Sequence, residues 1–300
     1  MTKYRFIMYA VIASLLWGTL NTAVKLGYEA YGIVSTGDIF VFAGTRFCLC
    51  GLVMTIYALI TNPKSLDVRN SIIPIMLSGF FAIILNYGFQ YLGLKTTASS
   101  TTGLLKQSGS LLYICFSFIF FKDDKFTLKK LVGSIMGAVG IVVLSSDKGA
   151  IKLGLGEILI ILASVCTVIS NIISKKTFCK VPPITFTGLS QLFGGAVLVI
   201  LGTIMGGTNH ISLDSQIPVF LYICTASVVS YCFWYTATHN ANLSNMLITK
   251  FIEPFFAAVT GAIFLSENVF QVKFILAFIL IVGGIYISSK SSKKEGRLQK

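Results

Sequence analysis

Two lysines, Lys106 and Lys250, stand in stretches that are otherwise apolar. An ammonium surrounded by hydrocarbon costs about 2.5–3.5 kcal/mol on insertion scales, so each needs a partner, water or a task. Lys106 has no acidic residue within four positions, and a wet cavity where its ammonium meets an anionic or zwitterionic solute is the chemistry that would retain it. Lys250 has Glu253 three residues on, a helix-neighbour spacing, so a local ion pair and a solute site explain it equally well. Glu253 is also a candidate carrier of a coupling proton, with the field of Lys250 acting against it. Pro254 frees the carbonyl of Lys250 and predicts a kink within that helix.

Other polar residues recur around these charges at helical spacing. Ser99, Thr102, Lys106, Ser110, Tyr113 and Ser117 form one stripe; Asn242, Asn245, Thr249, Glu253 and Thr260 form a second. Ser and Thr alone would suit helix packing, whereas a lysine in the stripe suits a cavity. Asn86, Tyr87 and Gln90 in the third span and Trp234 in the eighth lean towards a pocket, where tyrosine supplies an apolar face with one hydrogen-bonding tip, suited to few polar contacts. Trp17 and Asn21 lie four apart on one helix face. The expected solute-binding set is Lys106, Lys250, Glu253, Asn86, Tyr87, Gln90, Trp234, Ser110, Trp17 and Asn21. Tyr91, Tyr235 and His239, near helix ends, read as an interfacial aromatic belt. Asn21 and Asn171 read equally well as a pair between helices. Arg46 is expected to snorkel or to pair with Asp38, with an outer anion contact as the alternative. Asp123 and Glu267, at matched junctions, are expected to complement the dipole of the helix that follows each.

The elements that hold these residues must cross a bilayer. The 300 residues are 55% hydrophobic and 12% charged, with a mean hydropathy of +0.82; a soluble domain carries about 25% charged residues. Apolar runs near 5–27, 38–60, 71–93, 97–121, 127–145, 154–175, 184–206, 215–237, 242–265 and 269–288 each approach the ~20 residues a spanning helix needs. The first follows Lys3 and Arg5 but is too long for a signal-peptide core and lacks an A-x-A site. Short polar joins carry the breakers and predict an up-and-down bundle. Six of the seven cysteines lie in apolar runs without metal spacing and read as small hydrophobes, and Cys179 lies in a basic loop.

With the N-terminus inside, sixteen of the 24 Lys and Arg fall on the cytoplasmic side, five on the other and three, Arg46, Lys106 and Lys250, within spans. This is the positive-inside bias, with both termini cytoplasmic in the plasma membrane. It accounts for the net charge of +13 without nucleic acid and puts the basic tail 291–300 against anionic headgroups.

The chain also partly repeats. At a shift of 144, Tyr87 falls on Tyr231, Tyr91 on Tyr235, Ser100 on Ser244, Lys106 on Lys250 and Asp123 on Glu267; at a shift of 150, Asn21 falls on Asn171 and Lys25 on Lys175. Each copy, 1–147 and 153–290, holds five spans. An odd number inverts the second copy, giving an all-α membrane protein of ten transmembrane helices with a solute site at the midplane between two inverted five-helix repeats. Gly133, Gly137 and Gly140, and Gly188, Gly195, Gly202 and Gly206, predict close helix packing.

At Ala13-Ser-Leu-Leu-Trp17-Gly18 through Lys25, Arg46-Phe47, the polar run at 96–102, Glu253-Pro254, Phe264-Leu-Ser-Glu267 and Gly283-Gly284, the chain resembles the drug/metabolite transporter superfamily, in particular its ten-helix EamA-type members. The resemblance covers nearly the whole chain and implies a secondary carrier of small metabolites, with export as the direction by analogy. The excess of cavity lysines favours an amino acid or another carboxylate-bearing solute; a cationic or aromatic drug is the alternative. No phosphate-binding G-x-x-x-x-G-K-[ST] appears, so ATP on this chain does not drive it. His210 and His239 make no metal cluster or nucleophile–base pair, which disfavours an enzyme and calls for no cofactor. A channel remains a third reading. The expected partners are the bilayer and a small solute, with a coupling proton as an option, and the chain as a monomer or homodimer.

Overall fold

The computed structural model describes residues 2–120, 127–147, 150–151, 153–178, 180–211, 217–240, 250 and 252–298. The first two spans are α1 (Thr2–Ala30) and α2 (Thr36–Thr61). The third is α3 (Ile72–Gly79), a π-helical turn over Phe80–Leu85 and α4 (Asn86–Thr96). The fourth is broken at Lys106 into α5 (Ser99–Leu105) and α6 (Gln107–Phe120). After α7 (Leu128–Ser145), a two-residue antiparallel pairing of Ser146–Asp147 with Ala150–Ile151 joins the halves. The second half holds α8 (Leu155–Thr177), α9 (Pro183–Ile204), α10 (Ile217–Asn240), α11 (Ile252–Leu265) and α12 (Val272–Leu298).

Local chemistry sets several starts. Helix α2 opens on a capping box: Asp38 N donates to Ser35 Oγ at 3.0 Å and Ser35 N to Asp38 Oδ2 at 3.2 Å. Helix α9 opens at Pro183, where the missing N–H is not needed. Among the described helices, six are long and apolar enough to cross a membrane, and Leu131–Val143, Glu253–Leu265 and Val272–Gly284 are shorter apolar segments. Leu49, Val53, Ile56, Ile60, Ile73 and Phe80 are exposed. Such a greasy exterior is stable where lipid rather than water meets it.

The packing obeys a twofold relation. If spans 1–5 correspond to spans 6–10, the major contacts between the halves map onto themselves or one another: α2 with α9, α7 with α12 and α5 with α11 onto themselves, α1–α10 onto α8–α4, and α1–α11 onto α8–α6. Residues 144 apart even meet: the Tyr87 and Tyr231 hydroxyls are 2.7 Å apart, and Cys48 Sγ faces Leu192 O at 4.0 Å. The all-helical fold of two inverted five-helix repeats is therefore written in its contacts.

Glycine makes the central α2–α9 contact close. A Cβ on Gly44 would stand 2.6 Å from Val199 N and 2.7 Å from Gly195 O; symmetrically, one on Gly51 would stand 2.7 Å from Gly188 O. Both are too close for any side chain without parting the helices. Gly44→Leu is expected to lower stability by about 1–3 kcal/mol, read as a lower melting temperature in detergent; an unchanged value would show that the helices tolerate separation.

Candidate functional site

Between the halves lies a cavity of about 430 Å³, within the size range of small-molecule sites. Each residue of the expected set lies on its wall: Lys106, Lys250, Glu253, Asn86, Tyr87, Gln90, Trp234, Ser110, Trp17 and Asn21.

The helix break puts Lys106 at the cavity. Its Nζ donates to Gln90 Oε1 at 2.7 Å, and Gln90 Nε2 in turn donates to Asn21 Oδ1 at 2.8 Å. The same ammonium lies 5.6 Å from the centre of the Tyr87 ring. Residues from spans one, three and four thus orient one charge. Lys250 Nζ lies 5.0 Å from the Trp17 ring and 4.8 Å from the Trp234 ring, so its immediate neighbours are two π faces. Glu253, only 5% exposed, lies within electrostatic reach of both lysines. Tyr87 spends its hydroxyl on Tyr231, and Asn86 is held by Ala82 O at 3.0 Å and Thr167 Oγ1 at 3.0 Å. Ser110 Oγ donates to Gln107 Oε1 at 3.4 Å. Two buried donors, Asn21 Nδ2 and Trp17 Nε1, have no hydrogen-bond partner among the described residues.

Several expectations need correction. Arg46 neither snorkels nor pairs with Asp38. It is 1% exposed, and its guanidinium donates from Nε to Ser227 Oγ at 3.1 Å and from Nη1 to the Tyr91 hydroxyl. The Phe47 ring centre is 4.7 Å away. Asp38 instead accepts from Thr208 N at 3.0 Å and lies 3.1 Å from His210 Nε2. Tyr91 and Tyr235 do not form an interfacial belt; both are buried on the cavity wall, Tyr91 against Tyr28 and Tyr235 against Tyr231 and Phe178. Asn21 pairs with Gln90, while Asn171 lines the cavity. Glu253-Pro254 falls in the first turn of α11 as described, Ile252–Leu265; the residues at 241–249 and 251, on which the expected mid-helix kink depends, lie outside the described residues.

Glu267 does not serve the helix that follows it. Its carboxylate reaches the other half and accepts from Ser99 N at 2.5 Å, Ser100 N at 2.9 Å and Ser100 Oγ at 2.6 Å, with Lys25 Nζ at 3.8 Å. Charge-assisted bonds to backbone N–H groups are stronger than neutral ones. Glu267→Gln is expected to cost about 1–2 kcal/mol, seen as a lower melting temperature, whereas no loss would make the contact incidental.

The fourth-span stripe divides in function. Ser99 bonds Thr22 at 2.9 Å, and Thr102 Oγ1 returns to Ala98 O at 2.9 Å, so this end packs helices. Lys106, Ser110 and Tyr113 face the cavity. Asn242, Asn245, Thr249, Asp123 and Cys179, and the side chains of Ser117 and His239, lie outside the described residues. Sequence reasoning missed Gln107, Thr167, Ser170 and Ser174 on the wall. Gln107, beside Lys106, carried the clearest signal as an amide inside an apolar run.

One cavity end is sealed. Past Arg46 and Tyr91, Tyr28, Tyr31, Phe42 and Phe220 pack ring on ring. At the other end the wall runs through Ser170, Ser174 and Phe178 to the exposed Lys175.

A polar cavity between inverted repeats, reached from one end and closed at the other, defines the class as a multi-pass membrane transporter. The chain belongs to the EamA-like transporter family, whose model matches residues 5–146 and 154–290. It is 21% identical to an uncharacterized transporter of Archaeoglobus fulgidus, over 93% of this chain and 95% of the relative. It is 24% identical to a chloroplastic WAT1-related protein of Arabidopsis thaliana, over 94% of this chain and 69% of the relative. A crystal structure at 19% identity superposes with a TM-score of 0.69, covering 98% of this chain and 99% of that one, which shows the shared fold. The family and the transporter-named relatives indicate a transporter rather than an enzyme.

Proposed function

We infer that the protein is a secondary carrier for a small carboxylate-bearing solute, such as an amino acid or organic acid, working by alternating access in the plasma membrane. The observation that carries this is Lys106: an ammonium in the bilayer interior, oriented by neutral amides and bordering a 430 Å³ cavity. With the positive-inside orientation, both termini are cytoplasmic and the Lys175 end of the cavity faces the cytoplasm. The conformation is then inward-open, with the aromatic seal and the Glu267 cap on the outer side. Rocking of the halves 1–147 and 153–290 about the Tyr87–Tyr231 contact would open that seal.

Saturable counterflow of a labelled carboxylate in proteoliposomes is the expected result. A large single-channel current without saturation would indicate a pore, and exchange confined to cationic drugs would reverse the charge reading. Glu253 is the candidate carrier of a coupling proton, being the carboxylate among the described residues of the cavity wall. Glu253→Gln is expected to abolish stimulation by an imposed proton gradient while leaving counterflow measurable; equal stimulation of both proteins would remove proton coupling through this residue.

A further inference from the structure

The ionisable residues of the cavity wall, taken with the partner of each, specify the solute more narrowly. Lys175 stands exposed at the mouth. Deeper in, the described wall carries Arg46, Lys106 and Lys250 against one described carboxylate, Glu253. The contacts that hold the cations are neutral: hydroxyls of Ser227 and Tyr91 for Arg46, the Gln90 amide for Lys106, indole faces for Lys250. Such groups orient a charge without cancelling it. Three cations against one carboxylate leave two positive charges uncompensated among the described lining residues. Charge left uncompensated by protein groups in a confined cavity is costly unless water or a counter-charge meets it.

The hydrogen-bond inventory has the same sign. Among the described cavity-lining residues the orphan groups are donors, Asn21 Nδ2 and Trp17 Nε1: Asn21 shares Gln90 with Lys106, and the Trp17 ring lies 5.0 Å from Lys250 Nζ. A solute rich in acceptors would satisfy both. We propose that the transported solute is a small dianion bridging the two lysines, with one anionic edge on Lys106 and Asn21 and the other on Lys250 and Trp17. A zwitterion would leave the charge excess untouched, and a monoanion would remove half of it. Two carboxylates on a short chain, or one phosphate group, share the required chemistry. This rests on the carrier reading above and sharpens its substrate class.

The test uses the full-length protein in proteoliposomes at pH 7.5, with four small probes: succinate, inorganic phosphate, propionate and alanine. Saturable counterflow is expected for succinate or phosphate, with half-saturation about tenfold below that of propionate and alanine, a tenfold ratio being 1.4 kcal/mol. Whichever dianion prevails identifies the source of the charge. In Lys250→Gln, checked for folding by its melting temperature, the ratio of dianion to monoanion is expected to fall towards one. Counterflow of alanine or propionate equal to or better than that of both dianions overturns the proposal and leaves the carrier intact. Absence of saturable counterflow with all four probes, from folded protein, overturns both.

Discussion

Lys106→Gln is expected to lower carrier-mediated flux of an anionic solute about 10- to 100-fold, because a hydrogen bond to a charged group is worth about 1.5–3 kcal/mol. Glutamine is a demanding substitution here, since it keeps a neutral N–H donor, one methylene shorter, on the side of Gln90 Oε1, which now accepts from Lys106 Nζ at 2.7 Å. What disappears is the charge. Folding should therefore survive, and the melting temperature should hold or rise, since an ammonium leaves the bilayer interior. The effect should appear as a higher half-saturation concentration at matched protein per vesicle, with Lys106→Arg recovering part of it. Unchanged kinetics in the glutamine variant would place Lys106 outside the solute's path.

Arg46→Ala is expected to produce the largest loss of stability of any substitution considered, about 2–5 kcal/mol, the range for emptying the volume of a large buried side chain, with the departure of a buried charge offsetting part of it. The guanidinium is 1% exposed and joins three helices: it leaves α2, binds Ser227 on α10 and binds Tyr91 on α4. Phe47 and Tyr87 line its faces at 4.7 and 5.6 Å. Truncation empties that volume and removes the donor to the Tyr91 hydroxyl, while Ser227 Oγ keeps its bond to Ile223 O at 2.5 Å. Arg46→Met, which keeps much of the bulk, should lose less. Denaturation in mixed micelles measures the difference, and an alanine variant as stable as the parent would show that the network contributes nothing net.

The span pattern, the repeat and the lysines were legible because each depends on sequence alone: apolar run length, matched polar positions, a charge where none should be. The 144-residue shift alone matches Lys106 to Lys250. The rest was not legible, for identifiable reasons. Arg46 finds Tyr91 and Ser227 at separations of 45 and 181 residues, and no local pattern announces such partners. Glu267 stands just before a helix, so a local cap was the natural expectation; its true partners, Ser99 and Ser100, are set by the inverted packing of the halves. The break at Lys106 has no proline or glycine at the position itself to mark it. The π-helical turn at Phe80–Leu85 follows directly on Ser78-Gly79, a pair that marks a place where a helix can deform but not the form it takes. Tyr91 and Tyr235 were misassigned because distance from a helix end says nothing about which way a side chain faces.

The central claim is that the buried positive cavity is wet and reached from one side of the membrane at a time. Ser110→Cys, with the seven native cysteines replaced, tests it directly in oriented vesicles, because Ser110 lines the cavity one helical turn from Lys106. A membrane-impermeant thiol reagent is expected to modify it rapidly from the Lys175 side, more slowly from the opposite side, and less from either side when solute is saturating. A cysteine inert to reagent from both sides, with and without solute, would contradict the account.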